Sequence, residues 1–162
     1  MRCHFARNFG ISSDTLIKCD GTAKNIREIL LENEINYTDI EETDLIKKIS
    51  LKKPLHLNLS CSDIIVNELY YSGYTEYKSV VFDNGIQQKL SIFQPLLVTT
   101  HDYNKYSCIN TLRHSDELLI FKNNKYSSTK LLSSTTVGLE PTWSPFQYNN
   151  KNYITESGII LN

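Results

Sequence analysis

The chain has little of what usually marks a chemistry. Its four cysteines, Cys3, Cys19, Cys61 and Cys108, stand far apart with no C-x-x-C pair, which argues against a structural zinc site and against a disulfide scaffold. They read as reduced thiols, and the opening "MRCHFARNFG" has no apolar core of a secretory signal, so a cytoplasmic setting is expected. Six glycines, mostly at turns, leave no phosphate-cradling loop and no dinucleotide fingerprint. No apolar run approaches the length of a membrane span. There is no basic excess either: 17 Lys and Arg against 18 Asp and Glu give a formal charge of −1, and nucleic acid is therefore not an expected partner. The histidines, His4, His56, His101 and His114, form neither H-x-x-x-H nor H-E-x-x-H, so no metal and no cofactor are expected.

What is present can fold. The 162 residues are 40% hydrophobic, enough for one domain or two small subdomains around a shared core. The first half alternates in period. "DTLIKC" reads as a strand, "DGT" as a turn with Thr22 capping a helix, and Ala23, Ile26, Ile29 and Leu30 as one face of that helix. "INYTDI" then reads as a strand and "TDLIKKI" as a helix with Leu45, Ile46 and Ile49 inward. "LHLNLS" reads as a strand, and "SDIIVNELYYSG" as a helix from Ser62 to a stop at Gly73. The second half is rich in β-branched and aromatic runs broken by turn signals, with hairpins expected around 83–85, 122–125 and 149–151. The expected class is α+β: a β-α-β-α-β-α half over 1–73 and an antiparallel β subdomain over 74–162, together one compact unit.

Three short stretches resemble known motifs. "LIKCDGTAKN" resembles the D-x-D-G-T loop of haloacid-dehalogenase-type phosphatases, but Lys18 stands where the nucleophilic aspartate belongs. "CDGTAKNIREILLENEINYTDIEE" is similar to the start of glutaredoxin-like domains, which implies a thioredoxin-like strand–helix–strand unit. Thr22 follows Cys19 three residues on, so the redox dithiol is absent. "HFARNFGISSDTLI" resembles the turn of a helix-turn-helix, in a chain whose charge does not suit DNA.

Two sets of residues could carry function. Cys61, at an expected strand-to-helix turn, would feel the positive end of a helix dipole, which favours thiolate. His101 or His114 could serve as base, and Asp102 or Asp116 could orient it. Strand alternation argues the other way: Leu55, Leu57, Leu59 and Cys61 share a face, which sends the thiol into the core with the leucines. The second set is aromatic: Tyr70, Tyr71, Tyr74 and Tyr77, then Trp143 and Phe146 in "EPTWSPFQY". These side chains either fill the seam between the halves or form a contact surface. The expected function is a non-catalytic protein-binding module: an inhibitor or immunity-type protein, or a small component of a larger assembly such as a viral one. It would meet a protein partner through these aromatics. The alternative is a small cysteine-dependent hydrolase or transferase using Cys61 and a histidine.

Overall fold

The computed structural model describes residues 9–43, 45–58, 63–100, 102–113, 115–147 and 151–162. Two antiparallel sheets dominate it. In the first, β1 (Ile11–Ser12) pairs with β11 (Leu131–Ser144), β11 with β5 (Asp63–Phe82), β5 with β4 (Lys47–Asn58), β4 with β2 (Ile17–Cys19), and β2 with β3 (Thr22–Lys24). A further strand, β6 (Gln87–Ser91), also lies on β5. In the second sheet, β10 (Lys125–Thr129) pairs with β9 (Glu117–Lys122), β9 with β7 (Leu96–Thr99), β7 with β13 (Ile160–Leu161), and β13 with β12 (Tyr153–Ile154). There β8 (Asn104–Ser107) lies on β7. Two short helices, α1 (Ile26–Glu32) and α2 (Tyr37–Glu41), are the α-helices among the described residues, and none is long and apolar enough to cross a membrane.

The expected β-α-β-α-β-α half is therefore wrong, and the fold is mostly β. The largest correction falls on "DIIVNELYYSG". It is part of β5, which runs 20 residues without a break. Ile64, Ile65, Val66 and the tyrosines are β-branched or aromatic and suit a pleated surface. Burial there recurs every second residue, at Leu69, Tyr71, Gly73, Thr75 and Tyr77. Gly73 ends no helix. Ser72 and Gly73 (φ +84°) together face Thr142 alone, which makes a β-bulge where β5 meets β11. The expected helix "TDLIKKI" instead leads into β4. Leu45 and Ile46, expected inward, are exposed. Pro54 lies in the stretch 51–54 where β4 leaves its register with β5, so its missing donor costs no ladder bond. "INYTDI", expected as a strand, becomes α2, because the Asn36 side chain accepts from Thr38 N–H at 3.1 Å and caps a helical turn.

The first helix is capped one turn later than the sequence suggested. Asp20 and Gly21 form the tight turn between β2 and β3, and Asn25 caps α1 in a reciprocal capping box with Glu28. The turns at 83–85 and 123–124 join β5 to β6 and β9 to β10. The third expected hairpin does not form as written, because Tyr153–Ile154 pairs with Ile160–Leu161. Residues 148–150 of that turn lie outside the described residues.

One core joins both sheets: Ile17, Leu57, Leu69, Phe82, Leu96, Ile120, Trp143 and Leu161 belong to a single buried cluster. The chain passes residues 73–74, the expected subdomain boundary, in the middle of β5. Trp143 packs its ring 4.9 Å from that of Tyr71. Burying such a tryptophan stabilises by roughly 3–5 kcal/mol over alanine.

Candidate active site

At one end of the second sheet, strand ends bring four polar side chains together from distant parts of the chain. Leu96 of β7 pairs with Leu161 of β13, which places Gln94 and Asn162 just outside the paired residues. Asn162 N–H donates to the Pro95 carbonyl at 3.2 Å. The Gln94 side chain is fully buried. Its Nε2 donates to the Pro95 carbonyl at 2.8 Å and to the main-chain oxygen of Asn162 at 2.9 Å. Both neighbours are acceptors, so the nitrogen faces them, and Gln94 Oε1 is left buried with no partner among the described residues. Asn162 is also buried, and its Nδ2 donates to Asn152 Oδ1 at 2.9 Å. The same oxygen accepts from Tyr106 O–H at 2.8 Å.

This arrangement holds both reacting ends of an asparagine. An asparagine side-chain nitrogen can close a five-membered ring on its own main-chain carbonyl carbon. Here Asn152 orients the nitrogen and Gln94 donates to the main-chain oxygen, which stands in for the carbonyl oxygen of a following peptide bond, so the arrangement can hold both groups in place for such a ring closure.

A second polar group lies on the first sheet. Ser12 O–H donates to Asp14 Oδ1 at 2.6 Å and shares a 2.8 Å hydrogen bond with Thr15. Lys89 Nζ bridges Asp14 at 2.9 Å and Glu140 at 2.6 Å. Burial acts to raise the Asp14 pKa, and the Ser12 hydroxyl and Lys89 outweigh it, so the carboxyl sits below its ordinary value. The adjoining cavity of about 310 Å³, lined by Asp14, Gln88, Lys89 and Ser157 among others, offers its cation already shared between two carboxylates.

Of the residues expected to be catalytic, Cys61, His101 and His114 lie outside the described residues. Asp116 is buried and closes a turn: its Oδ2 accepts from Arg113 N–H at 2.9 Å, and its Oδ1 lies 3.8 Å from Lys105 Nζ. Asp102 is exposed, as is His56, whose main-chain N–H donates to Asp20 at 3.0 Å. Cys19 is buried, and burial followed by the nearby Asp20 charge pushes its thiol up to about 11, which keeps it protonated and inert. Among the described residues no three His, Cys, Asp or Glu side chains gather as a metal site.

The aromatic set divides. Tyr71, Tyr77 and Trp143 are fully buried, with Tyr71 O–H bonded to the Thr43 carbonyl and the Tyr77 hydroxyl to Thr142, each at 2.8 Å. Tyr74 is 42% exposed and anchors its hydroxyl on the Glu41 carbonyl. Tyr70 and Phe146 are half-buried, and Phe146 meets Tyr153 edge-on at 5.9 Å. Gln94, Asn152 and Asn162 were not anticipated. Neutral amides carry no titration signal and sit at no diagnostic spacing, so only the strand register reveals them.

The fold is that of inteins. The chain is similar to the TvoVMA intein, with a TM-score of 0.70 and 14% identity over 94% of this chain and 96% of that one. It is also similar to the transcription factor IIB Mvu mini-intein, with a TM-score of 0.69 and 13% identity over 95% and 99% of the two chains. A KlbA intein precursor from Methanococcus jannaschii gives 0.69 and 15% over 94% and 90%. No protein-family model and no curated protein matches the chain in sequence. Inteins are self-splicing domains. This finding overturns the expected non-catalytic interaction module, whether inhibitor or assembly component, and sits better with the alternative, a small cysteine-dependent hydrolase or transferase.

Proposed function

We propose that this chain is an autoprocessing domain that acts on the polypeptide containing it, with Asn162 as a residue at which it cuts. The observation that carries the proposal is the intein fold, shared over nearly the whole length at a TM-score of 0.70. The polar group around Asn162 supplies the chemistry. In a precursor where a peptide bond follows residue 162, Asn162 Nδ2 attacks its own carbonyl carbon. A C–N bond forms and closes a succinimide, and the bond to the following residue breaks. The side-chain nitrogen loses a proton as the departing main-chain nitrogen gains one, so the step needs no oxidant and no co-reactant. Asn152, held by Tyr106, aligns the attacking amide.

Acyl transfer to a thiol or hydroxyl is the other half of the proposal. Cys61 is its proposed nucleophile, with His101 or His114 as base and Asp116 near them in sequence. The partner on this reading is the polypeptide joined to the domain, and the setting is the reducing cytoplasm, the reading that the widely spaced cysteines suggest. The test is a precursor with one reporter before residue 1 and another after residue 162, followed by gel and mass spectrometry. The expected result is time-dependent release of the second reporter, with residue 162 left as a C-terminal succinimide one water lighter than a hydrolysed end, or as its water-addition product, abolished by Asn162→Ala. A folded wild-type precursor that stays intact on prolonged incubation refutes it.

A further inference from the structure

We propose that Gln94 is the donor that stabilises the developing oxyanion when Asn162 cyclises, a role that rests on the autoprocessing reading above. A long amide side chain loses rotamer freedom and hydration on burial, and its polar ends need partners to offset that. Gln94 is fully buried yet only half satisfied: Nε2 makes two hydrogen bonds, and Oε1 makes none among the described residues. Its place in the core is therefore explained by what the nitrogen holds, and one of the two groups it holds is the oxygen of Asn162.

Among the described residues, the neighbouring groups leave this task to Gln94. Leu161, the residue before Asn162, is apolar, fully buried and paired with Leu96, so it brings no side-chain donor. Tyr106 spends its hydroxyl on Asn152, and Asn152 Oδ1 receives the attacking amide. Gln94 is also held rigidly. Its own N–H donates to the Ser91 carbonyl at 3.2 Å, Pro95 fixes the next φ, and β7 begins one residue later. As the carbonyl carbon becomes tetrahedral, its oxygen gains negative charge, and a donor already in place strengthens without reorganising. The donor is a neutral amide, so its capacity to donate does not titrate.

The experiment uses the full chain with a reporter fused after Asn162 and follows release from acidic to neutral pH, each variant compared with wild type at the same pH. Gln94→Met keeps length and loses both donors; it should slow release about 100-fold, the usual loss for one such donor, with an unchanged near-ultraviolet spectrum. Gln94→Glu should be equally slow at neutral pH and recover as the pH falls, because the protonated carboxyl regains an O–H donor. Gln94→Met, apolar at every pH, should show no such recovery, and Gln94→Glu should keep the wild-type near-ultraviolet spectrum across the range, which a packing defect relieved by protonation would not. Wild-type rates in both variants, or a Gln94→Glu defect of constant size at every pH, overturn the assignment while Asn162→Ala still blocks release. Release that persists in Asn162→Ala overturns the asparagine reading itself, and this assignment with it.

Discussion

Gly10→Ala tests how closely β1 is seated on β11. Gly10 has φ +141°, and a Cβ built there would lie 2.2 Å from the Trp143 carbonyl oxygen and 2.9 Å from its carbonyl carbon. Those are backbone atoms of a 14-residue strand, so they cannot swing aside as a flexible side chain would. Two costs combine. A non-glycine residue held in this region carries about 1–3 kcal/mol of strain, and forcing extra volume into a packed site costs about 1–3 kcal/mol more. The expected loss is therefore about 4 kcal/mol. That is a large share of a domain's total of roughly 5–15 kcal/mol. The strand that gives way should be β1, which among the described residues pairs with β11 through Ile11–Trp143 and Ser12–Thr142. Gly85→Ala is the control: its φ is +89° but nothing lies within 4 Å of the added carbon, so only the backbone term of roughly 1–2 kcal/mol applies. The assay is urea unfolding followed by tryptophan fluorescence, since the single tryptophan, Trp143, stands at the contact. If Gly10→Ala and Gly85→Ala lose the same stability, the close approach of β1 to β11 is refuted.

Four further expectations follow from individual side chains. Tyr153→Phe should be neutral or stabilise by up to about 1 kcal/mol, because its buried hydroxyl has no partner among the described residues and removing it leaves the ring against Phe146. Tyr77→Phe should destabilise by about 1 kcal/mol through loss of its bond to Thr142; equal effects from the two would contradict the hydrogen-bond assignments. Asp14 is held below its ordinary pKa in the folded chain, so the stability it contributes is present above its unfolded value and is lost as pH falls through the folded value. Unfolding curves of Asp14→Asn should accordingly flatten in acid relative to wild type, and parallel curves would count against the Ser12–Asp14–Lys89 network. Cys19, with its thiol pushed up to about 11 by burial, should resist alkylation at neutral pH in the native chain and react fully in denaturant, as peptide mapping would read directly.

Local chemistry was legible where it was sufficient. The Asn123–Asn124 and Asp83–Gly85 turns need little beyond their own residues, since asparagine and glycine accept positive φ, and both join neighbouring strands. The alternation of Leu55, His56 and Leu57 is likewise reproduced as buried, exposed, buried. The long strand β5 was misread because Ser62 and Gly73 supplied plausible helix ends while its true partners were remote. Tyr71 faces Lys47 on one side and Trp143 on the other, and neither separation is visible in local spacing. Tertiary pairing overrode the capping signals there. The proposed reacting group was illegible for a related reason. Titratable side chains carry a recognisable pattern in sequence, whereas neutral amides and main-chain atoms brought together by sheet topology carry none.

On the proposed autoprocessing reading, that topology also explains why a mostly β scaffold suits a domain that would act on its own backbone. The Gln94–Asn162 contact spans 68 residues of sequence, and what fixes it is the register Leu96–Leu161. Because strand side chains alternate faces, a slip of one residue would turn Asn162 over and send its amide away from Asn152. The reacting geometry is therefore only as accurate as that register. Apolar pairing around it, with Leu96, Tyr153 and Leu161 all fully buried, makes a slip expensive by moving core side chains toward water. Precision at the amides thus derives from leucines and a tyrosine that take no part in bond-making. Mutations of those core residues should lower the release rate in proportion to how far they loosen the register, even when Gln94, Asn152 and Asn162 are untouched.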